Sequence, residues 1–149
     1  MTEPRDRETR KLDSLAMLAT PAIDVWVATA SVDGEPYLVP LSLAWLDERV
    51  VLAVEGSSRT ARNLTETEAA RVALGPTRDV VVMDTVLERS VAVADDPALG
   101  AAYVTQADWD PRDSSGYVFL ALRPIRLQAW RNVAETRGRT LMRDGAWLV

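Results

Sequence analysis

Short runs of β-branched and aromatic residues, each closed by a turn pair, leave this chain few options besides an antiparallel, mainly β fold. Asp24 to Ser31 is rich in Val, Trp and Thr and runs into Asp33-Gly34, after which Tyr37 to Leu46 again has strand character. Asp-Gly between two such runs predicts a hairpin, because both central positions of the favoured two-residue turn need positive φ. Asp47-Glu48 breaks the second strand, and Val50 to Glu55 forms the third. Val72 to Leu74, Val80 to Met83 and Val86 to Val93 read as further strands, with Gly75-Pro76-Thr77-Arg78 as a turn. Tyr117 to Leu122 continues past Pro124 to Trp130, and Arg139 to Met142, Asp144-Gly145 and Ala146 to Val149 predict a closing hairpin. Helical spacing is confined to short segments: Leu12 to Thr20, the stretch from Ser58 toward Glu68, and Asp95-Asp96-Pro97 through Gln106. Many strands with few and short helices favour a barrel over an open sheet.

At 149 residues, residues 1–149 are expected to form a single domain with a real core. The net charge of −5 argues against nucleic-acid and anionic-membrane partners, which need a basic field. The chain has no cysteine and no histidine, so disulfides, thiolate nucleophiles, Cys/His zinc sites and histidine-based triads are excluded. Chemistry near neutral pH would then fall to carboxylates, an oxygen-bound metal, or a cofactor that brings its own reactivity; the cofactor is the economical choice. Asp108, Asp110 and Asp113 lack the glycine and glutamate of a calcium loop, and no metal is assigned. Met1 to Lys11 has no apolar run and no later segment reaches spanning length, so a cytoplasmic location is expected.

The segment Ser57-Ser58-Arg59-Thr60-Ala61-Arg62-Asn63 carries the most chemical information. Hydroxyl groups and unpaired N–H groups at a helix start make a phosphate site, and Arg59 and Arg62, three apart, would share a face and grip one phosphate. Arg78 could join them through space. A capped surface helix with solvated arginines explains the same residues. Ahead of it, Tyr37, Val39, Leu41, Leu43 and Trp45 alternate with Leu38, Pro40, Ser42 and Ala44, so the second set faces either a ligand or a partner subunit. Pro40 removes a ladder donor, which marks an edge or a bulge. Trp26 and Trp45 read as core, Trp109 as a lid or a plug, and Trp130 beside Arg126 and Arg131 as an aromatic edge with cations. Neither GxGxxG nor GxxxxGK[ST] occurs.

The order of these pieces resembles the pyridoxamine 5′-phosphate oxidase-like family of FMN-binding split barrels, in its short, actinobacterial-type members. The resemblance rests on Val25 to Ala30 followed by Asp33 to Leu41, on Ser57 to Leu64, on Val72 to Val81, and on Ala129-Trp130-Arg131 with Gly138 to Trp147. It implies a split β-barrel homodimer with two cofactors at the subunit interface, and an oxidoreductase. The backbone of Val39, Pro40, Leu41 and Ser42 would edge the isoalloxazine ring, and Ser58, Arg59 and Arg62 would hold the phosphate. Thr77 and Arg78 would lie nearby, and Trp130 would reach in from the partner chain. The true oxidase carries an Arg/His substrate pair in a longer C-terminal region. This chain has no histidine, so pyridoxamine phosphate oxidation is not expected of it. Arg59 stands where many relatives have lysine, a departure from the family pattern that is compatible with FMN and leaves room for the deazaflavin F420. Non-catalytic binding of a flavin or another flat ligand is the alternative from a different class.

Overall fold

The computed structural model describes residues 3–149. Among these, nine strands form one sheet in the order β2-β1-β5-β6-β7-β4-β3, with β8 added to β7 and β9 to β8. The strands are β1 (Asp24–Ala30), β2 (Pro36–Ser42), β3 (Ala44–Leu46), β4 (Arg49–Glu55), β5 (Ala69–Leu74), β6 (Val80–Ala92), β7 (Tyr117–Trp130), β8 (Thr140–Arg143) and β9 (Ala146–Trp147). Every pairing is antiparallel. Three α-helices accompany them: α1 (Arg7–Leu18), α2 (Arg59–Thr67) and α3 (Pro97–Gln106). β2 and β4 lie toward opposite ends of the strand order and still touch, so the sheet curls round on itself and leaves a seam between them.

The burial pattern explains the local sequence. β4 is an unbroken apolar run because both its faces are covered: Val50, Leu52 and Val54 enter the barrel core, while Val51 and Ala53 pack with Phe119 and Tyr103 under α3. β1 is covered on one face only, so Val25 and Val27 are buried and Trp26 points outward, 51% exposed. The expectation that Trp26 is core is therefore corrected; the strand period places it on the outer face. Trp45 does pack against the core.

Three boundaries differ from the sequence reading. The run Tyr37 to Leu46 is broken at Leu43, and Leu43 and Ala44 are both fully buried, so Ala44 leaves the outward-facing set. The segments around Val80 and Val86 are one strand of 13 residues, bent by register shifts at Asp84/Thr85 and Leu87/Arg89. Asp84, which looked like an interruption, pairs outward with Arg71 at 2.6 Å, and Thr85 faces inward and donates to the Ala70 carbonyl. α1 begins at Arg7, capped by Asp6, and its buried face is Arg10, Ser14 and Leu18, while Leu12 is exposed. In the turn between β5 and β6, Gly75 has φ +86° and an added Cβ would lie 2.3 Å from the Asp79 carbonyl, so only glycine closes that turn. No helix among the described residues is long and apolar enough to cross a membrane.

Candidate functional site

The seam between β2 and β4 opens into a cleft of about 490 Å³, within the range of small-ligand sites. β2 supplies Tyr37, Val39, Pro40, Leu41 and Ser42, β4 supplies Ala53, Val54 and Glu55, and the start of α2 supplies Ser58 and Thr60. Asp24, Trp109 and Tyr117 complete the wall. β2 is an edge strand bonded only to β1, so half of its backbone groups face away from the ladder. Pro36 and Pro40 occupy the same phase of that strand and are tolerated where the nitrogen points off the edge. By the same alternation, Leu38 and Ser42 present their N–H groups outward.

At the other side of the cleft, Ser58 caps α2: its hydroxyl accepts from the Ala61 N–H at 3.2 Å, and the Arg62 N–H bonds the Ser58 carbonyl. The Arg59 and Thr60 N–H groups have no hydrogen-bond partner among the described residues, the usual surplus of a helix start. The Arg59 guanidinium lies 5.3 Å from the Tyr37 ring centroid and 3.9 Å from Glu35, a loose and exposed arrangement that leaves it free to turn to a ligand. Arg62 is exposed and makes no ion pair among the described residues. Arg59 and Arg62 do share one face, bordering a small hollow with Ser31, Glu35, Asn63 and Glu66 beside the cleft. Asn63 is buried, and its amide donates to the Thr29 hydroxyl at 3.0 Å, tying α2 to β1. Ser57 is an exposed turn residue next to the cap.

Thr77 and Arg78 are exposed in the β5–β6 turn, at the end of β5 remote from α2, and border none of the cleft within one chain. Trp130 ends β7 on the outer sheet face, where Arg139 stacks on it at 4.8 Å and Arg71, Arg126 and Gln128 border the same depression. Arg139 escaped the sequence reading because nothing local links it to Trp130; the β7–β8 pairing does. Asp24, Tyr37, Glu55 and Tyr117 were likewise invisible as a group, since only the strand order brings them together. Trp109 is a fixed wall. Its indole N–H donates to the Tyr103 hydroxyl at 3.2 Å, and its ring meets Tyr117 edge-on at 5.3 Å.

No protein-family model and no curated protein sequence matches the chain. Solved structures do. An F420 reductase superposes with a TM-score of 0.60 at 19% identity, over 75% of this chain and 93% of that one. A heme binding protein from Mycobacterium smegmatis gives 0.67 at 21% identity, over 97% of this chain and 60% of its own. A pyridoxamine 5′-phosphate oxidase-related, FMN binding protein from Nostoc punctiforme gives 0.55 at 16% identity, over 83% and 78%. These likenesses are in the path of the backbone, and they agree with the antiparallel order and the open seam described above. The chain has the split-barrel fold of the pyridoxamine 5′-phosphate oxidase-like proteins.

Proposed function

We propose that this protein binds a flavin-type cofactor, FMN or alternatively F420, in the β2–β4 cleft and serves as an oxidoreductase on a small molecule. The observation that carries the reading is the juxtaposition in one cleft of an edge strand with free backbone groups and a capped helix start flanked by Arg59. The residues present fit such a group. Val39, Leu41 and Val54 with Tyr37 and Tyr117 offer a dry wall for a flat ring, and Ser58, Thr60, Arg59 and Arg62 offer donors for a phosphate.

When bound, the cofactor supplies hydride chemistry that no side chain of a histidine-free chain provides. The chain itself binds, orients and excludes water: β2 would read the ring's polar rim through its backbone, and the Trp109 wall would shield one side. F420 is the second reading, favoured by the backbone likeness to an F420 reductase and by Arg59 as the cation of the phosphate loop. Protein purified from its native host should be coloured and release authentic FMN or F420 on denaturation, identified by mass spectrometry. A colourless protein that binds neither in titration would overturn the reading.

The cofactor site is proposed to be completed by a second copy of the chain. Trp26 and Leu38 are 51% and 59% exposed, and the register Pro40↔Trp26↔Ala73↔Val82 with Leu38↔Ala28 places them on one outward apolar strip, bordered by the Arg71–Asp84 pair. Trp130 and Arg139 lie on the same outer side of the sheet, from which they would approach a partner's cofactor. Trp26→Asp should weaken self-association by about 30-fold or more, the penalty typical of a central aromatic anchor. Sedimentation equilibrium would measure it, and an unchanged dimer would remove this face from the interface.

A further inference from the structure

The two ends of the cleft differ in charge: at the α2 end Arg59 stands among Glu35, 3.9 Å away, and Glu55, whose carbonyl accepts from the Ser58 N–H, whereas the other end holds Asp24 with Asp108 at its rim and no cation beside them. No lysine or arginine lines it, and Asp24, Glu55 and Asp108 make no ion pair among the described residues. The Ser42 hydroxyl stands between two of these carboxylates, 3.0 Å from Asp108 Oδ1 and 3.5 Å from Asp24 Oδ1. One hydroxyl hydrogen cannot satisfy both groups, and an ionised carboxylate has several acceptor sites, so this end of the cleft is rich in unused acceptors.

Its aromatic wall has the same preference. Because the Trp109 N–H is already given to Tyr103, the indole offers the cleft its π surface and not a donor. Tyr117, set edge-on to Trp109, adds a second ring. Electron-rich faces beside carboxylates attract cations and repel anions. Behind Trp109, the Tyr103 hydroxyl is pushed up to about 12, by burial first and then by the Asp108 and Asp24 charges, against the opposing effect of the Trp109 hydrogen bond.

We propose that the Asp24–Ser42–Asp108 end of the cleft, walled by Trp109, is a substrate subsite that selects flat molecules carrying a positive charge or an amine. The proposal rests on the reading of the cleft as a cofactor site and adds to it the sign of the substrate's charge. A cofactor phosphate and a cationic substrate would then occupy opposite poles, each matched to its own end.

The test compares three planar probes of nearly equal size: the N-methylnicotinamide cation, neutral nicotinamide and the nicotinate anion. Their affinities are measured by calorimetry at low salt, on wild type and on Asp24→Asn/Asp108→Asn, each with and without added FMN. The expected order is cation, then neutral, then anion, with a cation-to-anion ratio of about tenfold that falls toward unity in the double variant and at high salt. Nicotinate binding as tightly as the cation to wild type, or a preference that survives the double variant, would overturn the inference. FMN retention is read separately in the same samples by absorbance. If FMN does not bind, the cofactor reading fails, and the cation-to-anion ratio of the colourless wild type still decides the subsite.

Discussion

Replacing Arg59 and Arg62 together by alanine is expected to weaken FMN binding by about 100-fold or more, while leaving riboflavin binding nearly unchanged. The contrast isolates the phosphate, because riboflavin has the same ring and lacks that group. A charge-assisted contact contributes about 1.5–3 kcal/mol, and the lower end applies here because the Arg59 side chain is more than half exposed. Two such contacts amount to about 3 kcal/mol, or somewhat over two decades in Kd. Neither guanidinium carries a strong structural bond. Arg59 has only its loose approach to Glu35 and its place over Tyr37, and Arg62 has no ion pair among the described residues, so the variant should melt within about 0.5 kcal/mol of wild type. Titration by flavin fluorescence gives both affinities. Equal FMN affinity in variant and wild type would leave α2 as a capped surface helix with solvated arginines.

The strands, their turns and the α2 cap were legible because each is written in adjacent residues. Asp144-Gly145 closes its hairpin with φ 53° and 77°, and Asp47-Glu48 does the same with φ 51° and 56°. Asp96 caps α3 just ahead of Pro97, as its position suggested. Single-sided burial was harder to read. Val-Trp-Val in β1 is equally apolar at every position, and only the sheet decides that the valines go in and the tryptophan goes out. The continuity of β6 is hidden in the sequence because an inward threonine and an outward aspartate at a bulge imitate a loop.

The site was half legible for the same reason. Its α2 side is a local motif, and its β2 side was marked by Pro40. The acidic and aromatic side was marked only by Trp109, read as a lid or a plug, since Asp24 reaches Ser42 through a strand pairing, Asp108 and Trp109 arrive from a loop some 65 residues further along, and Tyr117 comes from the start of β7. Arg78 was read as joining Arg59 and Arg62 through space and Thr77 came with the family resemblance, and within one chain the structure leaves both at the far end of β5.

The other large effect expected is on stability, at Glu135, which no sequence pattern marks. This carboxylate is 1% exposed and accepts four hydrogen bonds: from the Arg5 N–H at 2.9 Å, Arg5 Nε at 3.0 Å, Arg5 Nη2 at 2.8 Å and the Arg131 N–H at 2.9 Å. Arg5 also reaches Asp13, Arg131 pairs with Asp79, and the buried Arg10 donates to the Glu135 carbonyl at 3.1 Å. The cluster thus pins the N-terminal segment, α1 and the β5–β6 turn to the end of β7. The Arg5 bonds hold the Glu135 carboxyl down at about 2 from an ordinary 4.5, and the Arg5 guanidinium is raised in turn. A carboxyl whose folded value is depressed contributes stability that is complete above its unfolded value and is lost as pH falls from about 4.5 toward 2, here about 3 kcal/mol. Glu135→Ala should cost about 3–5 kcal/mol at pH 7, because it removes the most buried carboxylate beside Arg5 and Arg10, leaving Arg5 only its pairs with Asp13 and Asp79 and Arg10, whose Nε already lacks a partner, with no adjacent counter-charge. Glu135→Gln keeps the shape and removes the charge, so it should flatten the acid limb of the stability curve as well as lower its plateau. Urea melts of wild type and both variants at pH 7 and pH 3 measure this. If Glu135→Gln loses as much stability on acidification as wild type, the pH dependence arises in other carboxylates. Glu135 borders none of the β2–β4 cleft, so flavin affinity per folded molecule should survive in both variants wherever the fold does.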